Sequence, residues 1–153
     1  MKALGIDCGT NMGWAVGETP WRLIGCGLIR TKPGRFESQG FRFLSAEREL
    51  KKLIETHKPD LVAFEELRAH SGVQAAQVLG TYMAIVMKVA EECSIPYCGL
   101  PVGAIKKHAT GNHAASKELM IKAARLLWPQ ATIPTSDVAD ALHIMRLGLH
   151  KIS

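Results

Sequence analysis

Apolar and polar positions along the chain alternate between two periods. Residues 2–7 (KALGID) are a short apolar run that ends in an acid. Residues 12–17 (MGWAVG) and 21–30 (WRLIGCGLIR) read as two further strands. Between them lie Cys8-Gly9-Thr10-Asn11 and Glu18-Thr19-Pro20, both rich in turn formers. Strands joined this tightly must be antiparallel neighbours, because a parallel pair needs a long crossover. After Pro33-Gly34 the period changes. Phe43, Ala46, Leu50, Leu53 and Ile54 recur at helical spacing and predict a helix over about 39–57. Lys58-Pro59-Asp60 ends it. Leu61-Val62-Ala63-Phe64 is then a continuous apolar run, as expected of a strand buried on both faces, and it ends in Glu65-Glu66.

Residues 72–92 predict a second long helix, with Ala76, Leu79, Met83, Val86 and Ala90 on one side. Residues 95–100 predict a fifth strand. Gly111-Asn112 marks residues 106–116 as a loop, following a short helical turn at 101–107. Ser116 has the chemistry of an N-cap for a helix over 117–128, which Trp128-Pro129 stops. A last helix begins near Asp137 and carries Val138, Ala141, Leu142, Met145 and Leu149 on its apolar side. The order is three strands, helix, strand, helix, strand, then helices. It predicts an α/β fold in which a mixed five-stranded sheet, three strands antiparallel and the later ones parallel, has helices on both faces. Its β-α-β crossovers should be right-handed. No repeat, low-complexity tract or linker interrupts the pattern, so residues 1–153 are expected to form one domain.

Composition narrows the classes. Apolar residues make up 47% and charged residues 22% of the 153, which excludes disordered, collagen-like and coiled-coil chains. No uninterrupted apolar run approaches the ~18 residues of a membrane span. The opening apolar stretch stops at Asp7, too soon for a secretory signal, so a cytoplasmic protein is expected. Cys8, Cys26, Cys93 and Cys98 show no C-x2-C spacing and are expected as free thiols. Nineteen Lys and Arg against fourteen Asp and Glu leave a net charge of +5, which suits a polyanionic partner, nucleic acid first.

The acids carry the sharper signal. There are ten Glu but only four Asp, namely Asp7, Asp60, Asp137 and Asp140. Asp7 and Glu65 each close an apolar strand, and the carboxyl ends of strands border the ligand crevice of α/β proteins. Asp137 and Asp140 are three apart, one turn along a single helix face. The structural alternatives are ordinary: a solvated strand end for Asp7 or Glu65, an N-cap for Asp137, a first-turn acid for Asp140. Four gathered carboxylates need a compensating charge, for which Mg²⁺ or Mn²⁺ is the usual choice. Two such ions ~4 Å apart activate water and stabilise the leaving oxygen of a phosphodiester. Lys106, Lys107 and Lys117 flank the Gly111 loop and suit phosphate contact. His143 lies one turn beyond Asp140 and reads as a structural histidine. The Asp7-Cys8-Gly9-Thr10 element also fits the phosphate loop of sugar kinases and actin-like ATPases, but those need two facing domains.

Four segments together resemble one known family: GIDCGTNMGWAV, PDLVAFEE, PVGAIKKHATGNHAASK and SDVADALHIMRLGLH. The chain resembles RuvC-type Holliday junction resolvases of the RNase H-like superfamily, nearly end to end, and its compact form suits a phage or prophage member. The resemblance implies a catalytic, metal-binding tetrad at Asp7, Glu65, Asp137 and Asp140, the four acids that the carboxylate pattern also selects. It implies DNA-contacting lysines at Lys106 and Lys117, and a homodimer that cuts opposed strands of a four-way junction. Where such resolvases often carry an aromatic three residues after the glutamate, this chain has Arg68, with His70 nearby and an extra acid at Glu66. Arg68 is therefore expected near the branch point as a DNA contact. The expected activity is structure-selective endonucleolytic hydrolysis with two Mg²⁺ or Mn²⁺ ions, leaving 5′-phosphate and 3′-hydroxyl ends. The alternatives are a related nuclease for other branched DNA or RNA–DNA hybrids, and a junction binder that does not cleave.

Overall fold

The computed structural model describes residues 1–66 and 72–153. Three strands open the chain: β1 (Lys2–Asp7), β2 (Asn11–Glu18) and β3 (Arg22–Arg30). Helix α1 (Gln39–His57), strand β4 (Leu61–Glu65), helix α2 (Val73–Glu92) and strand β5 (Tyr97–Leu100) follow. Helices α3 (Val102–Thr110), α4 (Lys117–Leu127) and α5 (Ser136–Ile152) complete it. The five strands form one sheet in the order β3-β2-β1-β4-β5. β2 is antiparallel to both β1 and β3, whereas β1-β4 and β4-β5 are parallel. This is the mixed sheet that the sequence predicts.

Alternation along the strands divides the core in two. Leu4 and Ile6 of β1, with Val62 and Phe64 of β4, pack against Ala46, Leu50 and Ile54 of α1 and Tyr82, Val86 and Val89 of α2. Ala3 and Leu61 point to the opposite face and meet Val138, Leu142 and Met145 of α5. Ala63 lies on that face too, among Ile105 of α3, Met120 of α4 and Ile144 of α5. The period of two then carries Asp7 and Glu65 to the face covered by α5.

Helix α5 lies unusually close to the strands. A Cβ on Gly5 would stand 2.4 Å from the Met145 amide nitrogen and 2.5 Å from the Ala141 carbonyl oxygen. A Cβ on Gly13 would stand 2.0 Å from the carbonyl oxygen of Asp137. Both obstacles are backbone, which cannot rotate away. The strands are bare at these two points so that a helix can rest on them.

Two local expectations change. Residues 102–110 are a helix rather than a turn leading into a loop, so Lys106 is helical. Gly111 ends that helix: it takes a left-handed conformation (φ 82°), and its amide donates to the Lys107 carbonyl at 2.8 Å. Asp137 is not an N-cap. Thr135 caps α5, its Oγ1 accepting from the Val138 amide at 3.4 Å, which leaves the Asp137 carboxylate uncommitted to the cap. Ser116 caps α4 as expected, accepting from the Leu119 amide at 3.2 Å.

Helix α2 is 20 residues long with a mean hydropathy of 1.3, enough by length and composition to cross a membrane. No single apolar run shows this in the sequence, because Gln74, Gln77, Thr81 and Lys88 interrupt it. Here Tyr82, Ile85, Val86, Val89 and Ala90 are buried against the sheet and α1. Its first five residues, from Val73 to Gln77, are largely exposed.

The Gly13 contact is directly testable. Gly13→Ala drives a methyl group into the α5 backbone, so it should cost roughly 3 kcal/mol or more. For a chain of this size that lowers Tm by about 6–12 °C. Thermal unfolding followed by circular dichroism measures it, and a wild-type Tm would contradict the close approach.

Candidate active site

The register of the parallel pair β1-β4 sets Gly5 beside Ala63 and Ile6 beside Phe64. One step further along both strands stand Asp7 and Glu65, side by side on the face covered by α5. The α5 contact at Gly13 brings the first turns of that helix to the same place, and with them Asp137 and Asp140. The charges feel one another. The Asp7 carboxyl is held well above the usual carboxylate range, first by burial and then by Asp140, Asp137 and Glu65, with a hydrogen bond to Asp137 adding to it. Asp140 is raised to about 6 by burial, Glu65 and Asp137, against the opposing pull of Lys117 and Lys106. Glu65 is raised by burial and lowered by Lys106. All four acids selected from the sequence therefore form one electrostatic cluster.

Beside it lies a small crevice of about 180 Å³, lined by Glu65, Val102, Ile105, Lys106, Lys117, Met120 and Asp140. Lys106 comes from α3 and Lys117 from the first turn of α4. Lys107 is one residue round α3 from Lys106 and therefore about 100° away. It is exposed and takes no part in lining the crevice. Arg68, His70 and the rest of residues 67–71 lie outside the described residues. Val102, Ile105 and Met120, which no motif in the sequence marks, supply the crevice's apolar wall. Met120 sits three residues after Lys117, a spacing that could have revealed it.

His143 is structural. It is 1% exposed, its Nε2 donates to the Met120 carbonyl at 2.9 Å, and its ring meets Trp128 at a tilt. Burial holds it below the ordinary histidine range, so it stays neutral. It thereby ties α4, which carries Lys117, to α5, which carries Asp140. Cys8 is a protonated thiol, pushed up by burial and by Asp7 and Glu65. All four cysteines are free, as expected.

The comparisons fit this arrangement. The family model described as "Crossover junction endodeoxyribonuclease RuvC" matches residues 3–146. The chain belongs to the RuvC family. A RuvC from Chloroflexus aggregans is 34% identical, over 94% of this chain and 90% of the relative. One from a Synechococcus strain is 31% identical, over 97% and 98%. Among solved structures, Thermus thermophilus RuvC in complex with a Holliday junction substrate shares the fold, with a TM-score of 0.83 at 24% identity and 97% coverage of both chains. The fold is thus the RNase H-like fold of RuvC, and the family's activity is endonucleolytic cleavage of crossover junctions in DNA.

RuvC proteins are metal-dependent nucleases, and the donor chemistry here fits a hard cation: four carboxylates, all oxygen, with no thiolate or imidazole offered to the cluster among the described residues. Among the described residues no three of these donors are drawn into a closed ligand set. The hydrogen bond between Asp7 and Asp137 needs a proton shared by two carboxyl groups. A cation at neutral pH can do what that proton does.

The raised acids give a pH dependence of stability. Asp140 is raised in the folded state to about 6, from an ordinary aspartate value of 3.8. A raised carboxyl favours the folded state fully below the unfolded value, and that contribution is lost as pH rises through the folded one. Metal-free protein should therefore lose up to roughly 3 kcal/mol from this residue between about pH 4 and 6. Asp140→Asn should flatten that part of the Tm–pH curve in EDTA and raise Tm at pH 7. An identical curve for the variant would show that Asp140 is not coupled to the cluster.

Proposed function

We propose that the chain resolves four-way DNA junctions by metal-dependent phosphodiester hydrolysis, as one nuclease domain over residues 1–153 acting in the cytoplasm. Asp7, Glu65, Asp137 and Asp140 are the acids of the site. The observation that carries this reading is their convergence: two strand ends and one helix start, from three parts of the sequence, come close enough that Asp140, Asp137 and Glu65 all act on the Asp7 carboxyl. A pure DNA binder gains nothing from placing four carboxylates where phosphates must lie.

The four carboxylates would hold Mg²⁺ or Mn²⁺, two ions per site, whose chemistry is to lower the pKa of water and to neutralise charge on the phosphate. Lys106 and Lys117 stand at the crevice wall and take a non-bridging phosphate oxygen each. Val102, Ile105 and Met120 give that wall an apolar, poorly hydrated surface, which strengthens the lysine–phosphate attraction. His143 keeps the α4 wall at a fixed distance from Asp140. In-line attack on the phosphorus with departure of the 3′ oxygen leaves 5′-phosphate and 3′-hydroxyl ends. Lys107, outside the crevice, is a further DNA-backbone contact, and so is Arg68.

A four-way junction offers two symmetry-related strands, so a two-fold dimer matches it with one site per strand. The exposed start of α2 supports this. Gln74, Ala75, Val78 and Leu79, with Thr10, border a shallow hollow of about 380 Å³ there, and Val73 is 76% exposed.

The deciding experiment compares four-way, three-way and linear DNA of matched sequence, with Mg²⁺, together with sedimentation of the protein alone and on DNA. The expected result is a dimer that cuts four-way junctions and, more slowly, three-way forms. Equal cutting of linear duplex, or a monomer on the junction, refutes the reading. Asp7→Asn should abolish cleavage yet bind the junction at least as tightly, because it removes charge repulsion of phosphate. Turnover like that of the wild type would remove Asp7 from the site.

Lys106→Ala and Lys117→Ala should weaken binding to all sequences alike. Each should also reduce the slope of log K against log salt by about 0.9 per lost phosphate contact. An unchanged slope in both variants would mean that these lysines touch no phosphate.

A further inference from the structure

β1 and β3 run in the same direction, since each is antiparallel to β2. The connection from β3 to α1 therefore emerges at the end of the sheet where β1 ends in Asp7. It lies on the far side of the acids from Lys106 and Lys117, which follow β5 at the other edge of the sheet. With strands ~4.8 Å apart, β3 stands ~10 Å from β1.

This connection is built to present its tip. At its base, the Thr31 amide and Oγ1 both donate to the Thr10 carbonyl at 2.9 Å, and Tyr82 of α2 hydrogen-bonds the same hydroxyl. Thr31 is buried. At its tip, the Glu37 amide donates to the Gly34 carbonyl at 3.1 Å, while the Gly34 amide donates to the Glu37 carboxylate at 2.7 Å. These reciprocal bonds close a four-residue turn with Arg35 and Phe36 at the apex. Phe36 is 95% exposed, more than any other large apolar side chain among the described residues. The Arg35 guanidinium lies 5.5 Å from its ring centroid. Arg30 and Lys32 are exposed beside them. None of Arg30, Lys32 and Arg35 makes an ion pair among the described residues.

We propose that residues 30–36 are a second DNA-contact site, in which Phe36 stacks on a base exposed at the branch point while Arg30, Lys32 and Arg35 hold the flanking phosphates. The proposal rests on the junction-cleaving reading and extends it to the other side of the acids. Three cations without an ion pair among the described residues match a polyanion in charge. They also disfavour a second copy of this chain as the occupant, since a two-fold contact there would set like charges against each other. The bare ring selects the kind of DNA. A base inside a duplex has both faces covered by its neighbours, so an exposed phenyl ring can stack only where the stack is broken. A branch point supplies that break and a linear duplex does not.

The test uses a four-way junction carrying 2-aminopurine beside the branch point and a linear duplex of matched sequence, with binding measured in EDTA. Phe36→Ala should weaken junction binding roughly 5- to 150-fold, the range for loss of one stacked base. It should also lose the fluorescence change seen on junction binding by the wild type, leave duplex affinity unchanged, and keep the wild-type Tm. Phe36→Trp should retain both affinity and fluorescence change. Arg35→Ala should lower the salt slope by about 0.9 on the junction. Wild-type junction affinity and fluorescence in Phe36→Ala overturn the proposal, as does an equal loss on duplex. A lower sedimentation mass of DNA-free Phe36→Ala also overturns it, in favour of contact between copies. Phe36-dependent junction binding by a wild-type protein that fails to cleave overturns the nuclease reading alone and supports this one.

Discussion

The whole arrangement depends on how closely α5 rests on the sheet. Only hydrogen at Gly5 and Gly13 lets the helix backbone come within contact of the strands. That contact does two things at once. It seals the core on one face of the sheet, where Val138, Leu142 and Met145 meet Ala3 and Leu61. It also presses the first turn of α5 against the end of β1, so Asp137 and Asp140 arrive beside Asp7. Packing of apolar side chains thus does the work of bringing like charges together. The carboxylates alone would drive α5 away.

Strand register completes the cluster. The α1 crossover returns the chain as β4 beside β1, parallel and in step, so strand ends far apart in sequence finish at the same height. Parity then decides the face. A one-residue slip of β4 would turn Glu65 toward α1 and α2, and bring Phe64 to the site. Alternation between the two buried faces, with Val62 and Phe64 on one and Leu61 and Ala63 on the other, penalises that slip.

Much of this was legible in the chain. Strands, long helices and their order follow from period and punctuation, and the four acids stood out as strand-end or helix-face carboxylates in a chain with few aspartates. What escaped has a common cause. Gly111-Asn112 reads in the sequence as the middle of a loop, whereas Gly111 is the left-handed cap of a helix, and one glycine signals both. The extra helix separates Lys106 from Lys107 by direction, a difference invisible in a run of two lysines. Thr135, not Asp137, caps α5, because Ser136 and Thr135 both precede the acid and the pattern admits either register. The convergence of Asp7 with Asp137 depends on glycines whose role is to lack a side chain. Nothing in a hydrophobic pattern marks which glycine faces a helix and which a turn.

A chain of net charge +5 that gathers four partly buried acids in one place has separated its charges in space. Lys106 and Lys117 lower Asp140, and Lys106 lowers Glu65, yet both carboxyls remain raised because burial outweighs the two lysines. The site is therefore short of positive charge from its own residues. A carboxylate that holds a proton more tightly than usual does so because negative potential is concentrated on its oxygens, and the same potential favours a hard divalent cation. Proton and cation compete for one set of atoms, so cation affinity must rise as pH passes through the raised values, and binding must release protons. A third lysine at the cluster would remove that demand and improve the stability of the metal-free fold. In the proposed function, the retained deficit would couple the fold's charge balance to the cation and, through it, to the DNA backbone.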